Sequence, residues 1–455
     1  MEMSSGPRCT CHTMRDSMFE NYGNILAVLI FVITIILIVS ERLHRTVAAM
    51  IGAILVVVLG VLPPDEFLKL DGPIHWEALG LIFGMFIMVT VLMDSGFFKW
   101  IGQHILMLAG FKILRIFLLF SVVSALLAAF MDCVTVLMFM VALTLEITRI
   151  LRISPIPFII AEITSANIGG SATMVGDPPN IIVGTALDYN FVDFVVNLAP
   201  IALVVFIVNL AFFYVFYKKL LTDTKINTKE FIRAYKYFKP PPEAAIKRAA
   251  TMFTVLVVFI FTLCLLVLSH YLHISVALIG IGGAVLTMAF GGKDLPNTID
   301  HIDWKTLILF ACLFIIVGGL EYQGVTKTIA NAVGGASGGN LILMVTLVLW
   351  LGAFLSWFVD NVPITAMMVP MIKSLAETSN APLGILAWST CLGCGIGASA
   401  TPIGGSDNLV ALSVGEKGGT HIKWKDYMKV AIPATLLCLL VINGLLVLRI
   451  LILGH

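Results

Sequence analysis

Ile168-Gly169-Gly170-Ser171-Ala172-Thr173-Met174-Val175-Gly176-Asp177-Pro178-Pro179-Asn180 is the segment that decides the fold. It lies between two apolar helical runs, where a helix should continue, yet it holds three glycines, a Pro-Pro pair and an aspartate. Glycine frees the backbone, and proline removes a donor and blocks the helix. In a chain this apolar the pattern predicts a helix broken inside a membrane. Non-helical backbone survives at that depth only where protein buries it or where it lines a wet cavity. The segment has a counterpart 228 residues later, in Ile396-Gly397-Ala398-Ser399-Ala400-Thr401, Gly404 and Asn408. Two broken helices in a duplicated chain point to a transporter whose binding site lies between the repeats.

Composition sets the class. Hydrophobic residues make up 59% of the 455 residues, charged residues 12%, and mean hydropathy is +1.02. A soluble domain carries about 25% charged residues, so this chain is expected to be polytopic in a membrane. The net charge of +1, with no basic stripe, argues against a nucleic-acid partner. The eight cysteines mostly sit in apolar runs and form no secreted disulfide framework. Cys9-Thr10-Cys11-His12 is too short a motif to specify a metal site, and the first 20 residues lack the pattern of a cleaved signal peptide.

The duplication extends well beyond the loops. At offset 228, Trp304, Phe314, Gly324 and Lys327 repeat Trp76, Phe86, Gly96 and Lys99. Phe358-Val359-Asp360-Asn361-Val362 repeats Phe130-Met131-Asp132-Cys133-Val134, and Asp426 and Pro433 answer Asp193 and Pro200 at 233. The domains read as a polar tail, 1–23, a first repeat, 24–217, a linker, 218–248, and a second repeat, 249–455. In the first repeat, spans are expected at 24–40, 47–62 and 77–93, then an interfacial amphipathic segment. A re-entrant hairpin at 113–148 has Asp132 at its tip. After it come a broken span with arms at 156–167 and 181–187, and a last span at 194–217. One aspartate inside so long an apolar run is expensive and needs a reason. The expected class is an all-α polytopic protein with two five-span repeats. An odd number of crossings makes the repeats inverted. With the linker in the cytoplasm and both termini outside, all basic residues except Arg8, Arg15, Lys69, Lys327, Lys373 and Arg449 fall inside, which follows the positive-inside rule for an inner (cytoplasmic) membrane.

The candidate site is two hairpin tips plus two broken-helix loops. The tips offer Asp132, Cys133 and Thr135, and Asp360, Asn361 and Thr365. The first loop offers Gly169, Gly170, Ser171, Thr173, Asp177 and Asn180; the second offers Ser399, Thr401, Asp407 and Asn408. Carbonyl, hydroxyl, amide and carboxylate oxygens suit a hard cation, with sodium expected at Asp132, Thr173, Asn361 and Thr401. A desolvated aspartate can instead hold a proton. The coupling ion is therefore H+ or Na+, with no other cofactor. Plainer readings stand beside these. Asp132 and Asp360 would cap helices; the glycines would let helices pack closely; Cys133, Cys391 and Cys394 would be small packers. Glu146 and Glu162 would be solvated or paired. No Gly-Lys-Ser/Thr follows the loop, so a phosphate-binding P-loop is excluded.

These motifs, FMDCVTVLMF, FVDNVPITAMMVP and NIGGSATMVGDPPN, resemble those of the ion transporter superfamily. Within it they are similar to the group of arsenite permeases, D-type sodium/proton antiporters and the melanosomal P protein, which have a citrate-transporter-like domain. The resemblance covers roughly 25–450. It implies an elevator-type transporter, usually a homodimer, whose hairpins and broken helices move as one body. Two departures matter. The tips carry aspartate where sodium-coupled dicarboxylate carriers have Ser-Asn-Thr motifs, which opposes a dianion. The second loop ends Gly404-Gly405-Ser406-Asp407-Asn408 instead of Gly-Asp-Pro-Pro-Asn, so its ion site is expected to be altered or absent. The expected function is secondary transport of a small inorganic solute, arsenite efflux coupled to protons first, then sodium/proton exchange, then a dicarboxylate or other anion; a passive channel is the reading outside secondary transport. No enzyme is expected, and nothing in the sequence supports a soluble ATPase subunit.

Overall fold

The computed structural model describes residues 11–453 except 41, 68, 70–71, 111, 224–241 and 292–302. In chain order the first repeat holds α1 (Cys11–Val39), α2 (Arg45–Val58), α3 (Pro64–Phe67), α4 (Trp76–Asp94), α5 (Phe97–Ala109), α6 (Ile113–Ala128), α7 (Cys133–Leu151), α8 (Ile156–Gly170), α9 (Pro178–Ala186), α10 (Phe191–Asn197), α11 (Ala199–Phe216) and α12 (Lys218–Asp223). The second holds α13 (Pro242–Leu272), α14 (Val276–Gly291), α15 (Trp304–Tyr322), α16 (Val325–Ser337), α17 (Leu341–Phe358), α18 (Asn361–Ser379), α19 (Leu383–Gly397), a single 3₁₀ turn (Ala398–Ala400), α20 (Ser406–Lys417) and α21 (Trp424–Leu453). No strand occurs among the described residues.

Eight of these helices are long and apolar enough to cross a membrane, and five more are shorter apolar helices. Large apolar side chains lie exposed along their outer faces, among them Ile54, Leu126, Ile207, Val215, Val257 and Leu451. An apolar exterior of this extent fits lipid and not water. The protein is a multi-pass membrane protein.

The helices sort into two packed groups, each using both repeats. In one, α4 packs on α14 and α15 packs on α2. Gly84 of α4 meets the backbone of Gly280 on α14, and a β-carbon on Gly80 would come to 2.8 Å from Ala277 Cβ. Small residues let two helices approach this closely in lipid. In the other group, α6 packs on α8 and α17 on α19, each hairpin arm against the broken helix of its own repeat. The second hairpin arms cross over: α7 packs on α20 and α18 on α9. Each hairpin therefore holds one arm from each broken helix.

The breaks fall where the sequence places them. Asp132 and Asp360 start the second hairpin arms, and Pro178 and Pro179 occupy the first turn of α9. That turn has no partner for its N–H groups, so proline costs nothing there and its fixed φ suits the helix. Four details differ from expectation. Residues 11–22 of the polar tail are helical and continue into the first span. The last seven linker residues begin α13, while 224–241 and Cys9 lie outside the described residues. A short helix, α10, precedes the last span of the first repeat. Its capping box, with Asn190 accepting from the Val192 and Asp193 N–H groups and Asp193 from that of Asn190, makes a separate turn. In the second repeat Pro433 sits inside the single long α21.

Candidate functional site

The two broken loops are built from the same bonds in the same register. Asn180 Nδ2 donates to the carbonyls of Gly170 at 3.2 Å and Thr173 at 2.7 Å. Asn408 Nδ2 donates to the carbonyls of Ala398 at 2.8 Å and Thr401 at 3.0 Å. Every partner is displaced by 228 residues. The Thr173 hydroxyl donates to the Ala129 carbonyl, and that of Thr401 to the Trp357 carbonyl, again 228 apart. Each asparagine thus pairs two carbonyls that the helix break leaves open, and each threonine ties its loop to its hairpin tip. Buried backbone groups need such partners.

The tips are capped as the plainer reading expected. The Asp132 carboxylate accepts from the Thr135 N–H at 3.1 Å and the Thr135 hydroxyl at 3.2 Å; that of Asp360 accepts from the Val362 N–H at 3.2 Å. Asp132 is buried and Asp360 half-buried. Capping leaves acceptor capacity on both carboxylates, so it is compatible with ion binding.

The repeats interlock at their loops. Asn361, from the second tip, donates its amide to Asp177 Oδ2 at 3.1 Å. Its counterpart Cys133 stays within its own repeat, with Sγ 3.3 Å from the Gly176 carbonyl. Asn167 Nδ2 reaches across to Ser399 Oγ at 2.9 Å and Asn408 Oδ1 at 3.0 Å. Its counterpart is Gly395, where a β-carbon would stand 2.6 Å from Ser171 Oγ and would force that hydroxyl to move. Ser171 Oγ donates to the Asn167 carbonyl at 2.8 Å, and Tyr427 donates from α21 to the Ser399 carbonyl at 2.9 Å. Asn167 and Tyr427 escaped the sequence reading. Asn167 carried a signal, an amide in an apolar helix one residue before the decisive segment; Tyr427 carried none.

Two expectations need correction and one gains detail. First, Gly169 and Gly170 are the last turn of α8 and not open backbone. A β-carbon on Gly169 would overlap the Ala125 carbonyl oxygen, and one on Gly397 would lie 2.6 Å from Ala353 Cα, so these glycines let α6 and α17 touch the broken helices. Close packing, the plainer reading, accounts for them. Second, the second loop is altered, and Asp407 supplies its carboxylate from a different position. Gly405 stands where Asp177 would repeat, but a β-carbon there would collide with Asp407 Oδ1. Asp407, two residues on and buried, therefore folds its side chain back over the position that Gly405 vacates; its Oδ2 has no protein partner. Third, Glu162 is neither solvated nor ion-paired, but fully buried with Thr144 as its hydrogen-bond donor. Glu146 is part-exposed.

The four aspartates form one electrostatic group, since Asp177 feels the charge of Asp407, Asp132 and Asp360. Buried Lys, Arg and His are absent among the described residues; the buried charged residues are Asp132, Glu162, Asp177 and Asp407. Thr365 is buried near the second tip with its hydroxyl unpartnered. Cys133, Cys391 and Cys394 are buried, and no cluster of three His, Cys, Asp or Glu suited to a metal ion occurs among the described residues. Of the four residues expected to hold sodium, Thr173 and Thr401 are counterparts that tie each loop to its own tip, while Asp132 caps the first tip and Asn361 bonds across to Asp177.

Two cavities approach the site from opposite ends of α4. One, of ≈ 560 Å³, lies at the Met93 end and is bounded by Phe86, Trp304 and Lys305; it reaches Asp132 and Thr135. The other, of ≈ 310 Å³, lies at the His75 end and includes Phe314, the counterpart of Phe86. It reaches Ala366 and Lys373 on α18 but not Asp360. In this conformation one cavity meets its hairpin tip and the other stops short.

The family model described as citrate transporter matches residues 35–393. The 46 kDa membrane protein of Mycobacterium leprae is 32% identical over 426 residues, covering 91% of this chain and 96% of that protein. The human P protein is 24% identical over 475 residues, 87% of this chain and 56% of its own length. Among solved structures, the Alcanivorax borkumensis YdaH transporter aligns with a TM-score of 0.60 at 14% identity, covering 90% of this chain and 98% of that one. Neisseria gonorrhoeae MtrF, described as an antimetabolite efflux pump, aligns with a TM-score of 0.55 at 11% identity over 93% and 94%. At these identities the likeness is one of fold. With the family model spanning most of the chain and the fold shared with solved transporters, this chain belongs to the citrate transporter family of the ion transporter superfamily and is a membrane transporter.

Proposed function

We propose that this protein is a proton-coupled secondary transporter of a small inorganic solute, with arsenite leaving the cell as the cargo. The observation that carries this reading is the sign of the buried charge. The site gathers four aspartates and no buried base, so it favours a cation or a neutral hydroxylated solute over an anion. Neutral arsenite is a triol. It would exchange hydrogen bonds with Asp132, Asp177 and Asp407, with Thr135, Thr365 and Asn361 at the tips and with Ser399 and Asn408 at the second loop. Sodium/proton exchange is the second reading, favoured by carboxylate, hydroxyl and carbonyl oxygens at the tips and loops, the ligand types of a hard cation. A citrate-like anion would need accompanying cations to offset the aspartates.

The packing supports an elevator cycle. Each hairpin grips an arm of both broken helices, so tips and loops move as one body against the group built on α4, α14, α15 and α2. The cavity that meets Asp132 would then close as the one on the far side reaches Asp360. The charge distribution supports a cytoplasmic linker with both termini outside. A homodimer would give the mobile bodies a fixed frame.

Flux in proteoliposomes with an internal pH dye tests the reading. Proton movement on adding arsenite, lost in Asp132→Asn and Asp360→Asn, is the expected result. The same response to sodium alone would select the second reading. Silence to both, with uptake of an organic anion, would overturn the inorganic assignment. Flux that never saturates and ignores the proton gradient would make the protein a channel.

A further inference from the structure

Glu162 lies outside the site described above. It sits on α8, eight residues before Gly170, or about 12 Å along the axis at 1.5 Å per residue. It is 0% exposed. Oε1 accepts from the Thr144 hydroxyl, and Oε2 has no protein partner. Among the described residues, Thr144 is the one hydrogen-bond partner of this carboxyl. The charged residues on helices packed against α8 do not reach it. Arg115 on α6, Arg149 on α7, Glu416 and Lys417 on α20, and Lys425, Asp426 and Lys429 on α21 are exposed, and Arg449, also on α21, is part-exposed and donates to Asn197 Oδ1 at 2.5 Å. Glu146 is part-exposed and two residues from Thr144, so it leaves α7 by another face. Buried Asp407 and Tyr427 belong to the loop. An ionised Glu162 would stand as an uncompensated charge in the interior, which is strongly unfavourable.

The repeat makes this residue more informative. The counterpart of Glu162 is Thr390, whose hydroxyl is satisfied by the Leu386 carbonyl of its own helix at 2.9 Å. The counterpart of Thr144 is Ile372. Acid and donor are therefore replaced together, and the pair exists once per chain. A path toward the site runs along the same helix. Ser165 lies one turn from Glu162 on the same face, with its buried hydroxyl unpartnered. Ser121 and Ser124, also buried and unpartnered, lie on the adjoining α6. Beyond Ser165, Asn167 bonds into the second loop.

We propose that Glu162 carries the coupling proton. The proton resides on Oε2 in this conformation, because Oε1 is occupied by Thr144, and it leaves when the mobile body changes its exposure. One proton is bound and one released, with no other bond made or broken. The coupling step rests on the reading as a proton-driven transporter; the binding of the proton does not.

Infrared difference spectroscopy of the purified protein in lipid across pH, read beside proton movement in proteoliposomes, tests both parts. A carboxylic-acid carbonyl band that disappears in a folded Glu162→Gln variant, with loss of solute-driven proton movement, is the expected result. No such band, or a band that Glu162→Gln leaves in place, overturns the proposal. A band that is lost while the variant still moves protons like the wild type overturns the coupling role. If Glu162→Gln fails to fold, Thr144→Val keeps the acid and removes its donor; the pH at which the band vanishes should shift, and an unshifted band overturns the proposal. Wild-type protein that moves no protons with any solute offered defeats the transport reading, while the band still decides whether Glu162 binds a proton.

Discussion

Gly169 offers a sharp test of how the hairpins are held. A methyl group there would overlap the Ala125 carbonyl oxygen and lie 2.6 Å from both Ala125 C and Cα. All three are backbone atoms of α6, so no side-chain rotation relieves the clash. Carbon atoms pack at about 3.5–4.0 Å, so Gly169→Ala must drive α6 and α8 apart by roughly 1 Å. Overpacking of this kind costs about 1–3 kcal/mol. Parting the helices also strains the Thr173–Ala129 bond at the end of the same arm, worth about 1 kcal/mol. The expected loss is therefore about 2–4 kcal/mol as the sum of those two effects, with transport lost because tip and loop no longer move together. Gly335→Ala is the matched control. Gly335 lies inside α16 with no heavy atom within 4 Å of its added β-carbon, and glycine in a helix is less favourable than alanine by about 1 kcal/mol. The control should melt at or above the wild-type temperature. Thermal unfolding in one detergent, followed by flux in proteoliposomes, reads both variants. If Gly169→Ala melts and transports like Gly335→Ala, the claim that this glycine sets the contact between hairpin and broken helix is refuted.

Other outcomes follow from the same geometry. Asn408→Ala removes two donations to loop carbonyls and the bond from Asn167, and should lower the melting temperature more than Asn180→Ala, which removes two; equal shifts would deny Asn167 a part in joining the repeats. Asp407→Asn should weaken solute-driven proton movement about as much as Asp177→Asn if the two carboxylates are equivalent, and flux that depends on Asp177 alone would show the second loop to be inert. Gly405→Asp should abolish transport by colliding with Asp407, whereas Gly405→Asp with Asp407→Gly should recover part of it; no recovery would break the positional equivalence. Tyr427→Phe removes only the hydroxyl that bonds the Ser399 carbonyl and should cost about 1–3 kcal/mol for the stranded carbonyl, measured by melting, with Tyr271→Phe at an exposed position as the neutral comparison.

Much of the architecture was legible because a duplicated sequence states its own register. Matches at Trp, Asp, Gly and Asn at one constant offset located both hairpins and both breaks, and the hydrogen bonds of Asn180 and Asn408 repeat at that offset. What stayed hidden depends on which side of a helix faces what. From Pro157 to Gly170 every residue of α8 is buried, so its apolar pattern has no wet face and periodicity carries no orientation. Glu162 therefore read as solvated or paired, when it lies in the packed interior. The bonds from Asn167 to Ser399 and from Tyr427 to Ser399 join different segments of the fold, and no local pattern encodes such a contact. The sequence places Gly405 opposite Asp177 and Asp407 two residues on, but only the fold shows the Asp407 carboxylate turned back over the position of Gly405.

The two repeats also separate what holds the fold from what does chemistry. Where the repeats agree, the shared residues satisfy backbone groups or permit contact: Asn180 and Asn408 pair carbonyls, Thr173 and Thr401 tie loops to tips, and Gly169 and Gly397 admit the hairpin arms. A helix break costs the same in either copy, so both copies keep its remedies. Among the positions where they disagree, Asn361 against Cys133, Asn167 against Gly395 and Asp177 against Gly405 bond across the pseudo-symmetry, while Glu162 against Thr390 pairs within its own repeat. A symmetric carrier needs no such differences to move between two faces. A carrier that holds its solute and its coupling ion at separate places does, because the two places then need different chemistry. The asymmetric residues are therefore where coupling should be sought, and Glu162, the one among them that sits farthest from the loops in a wholly buried helix, is the natural place for the second ligand.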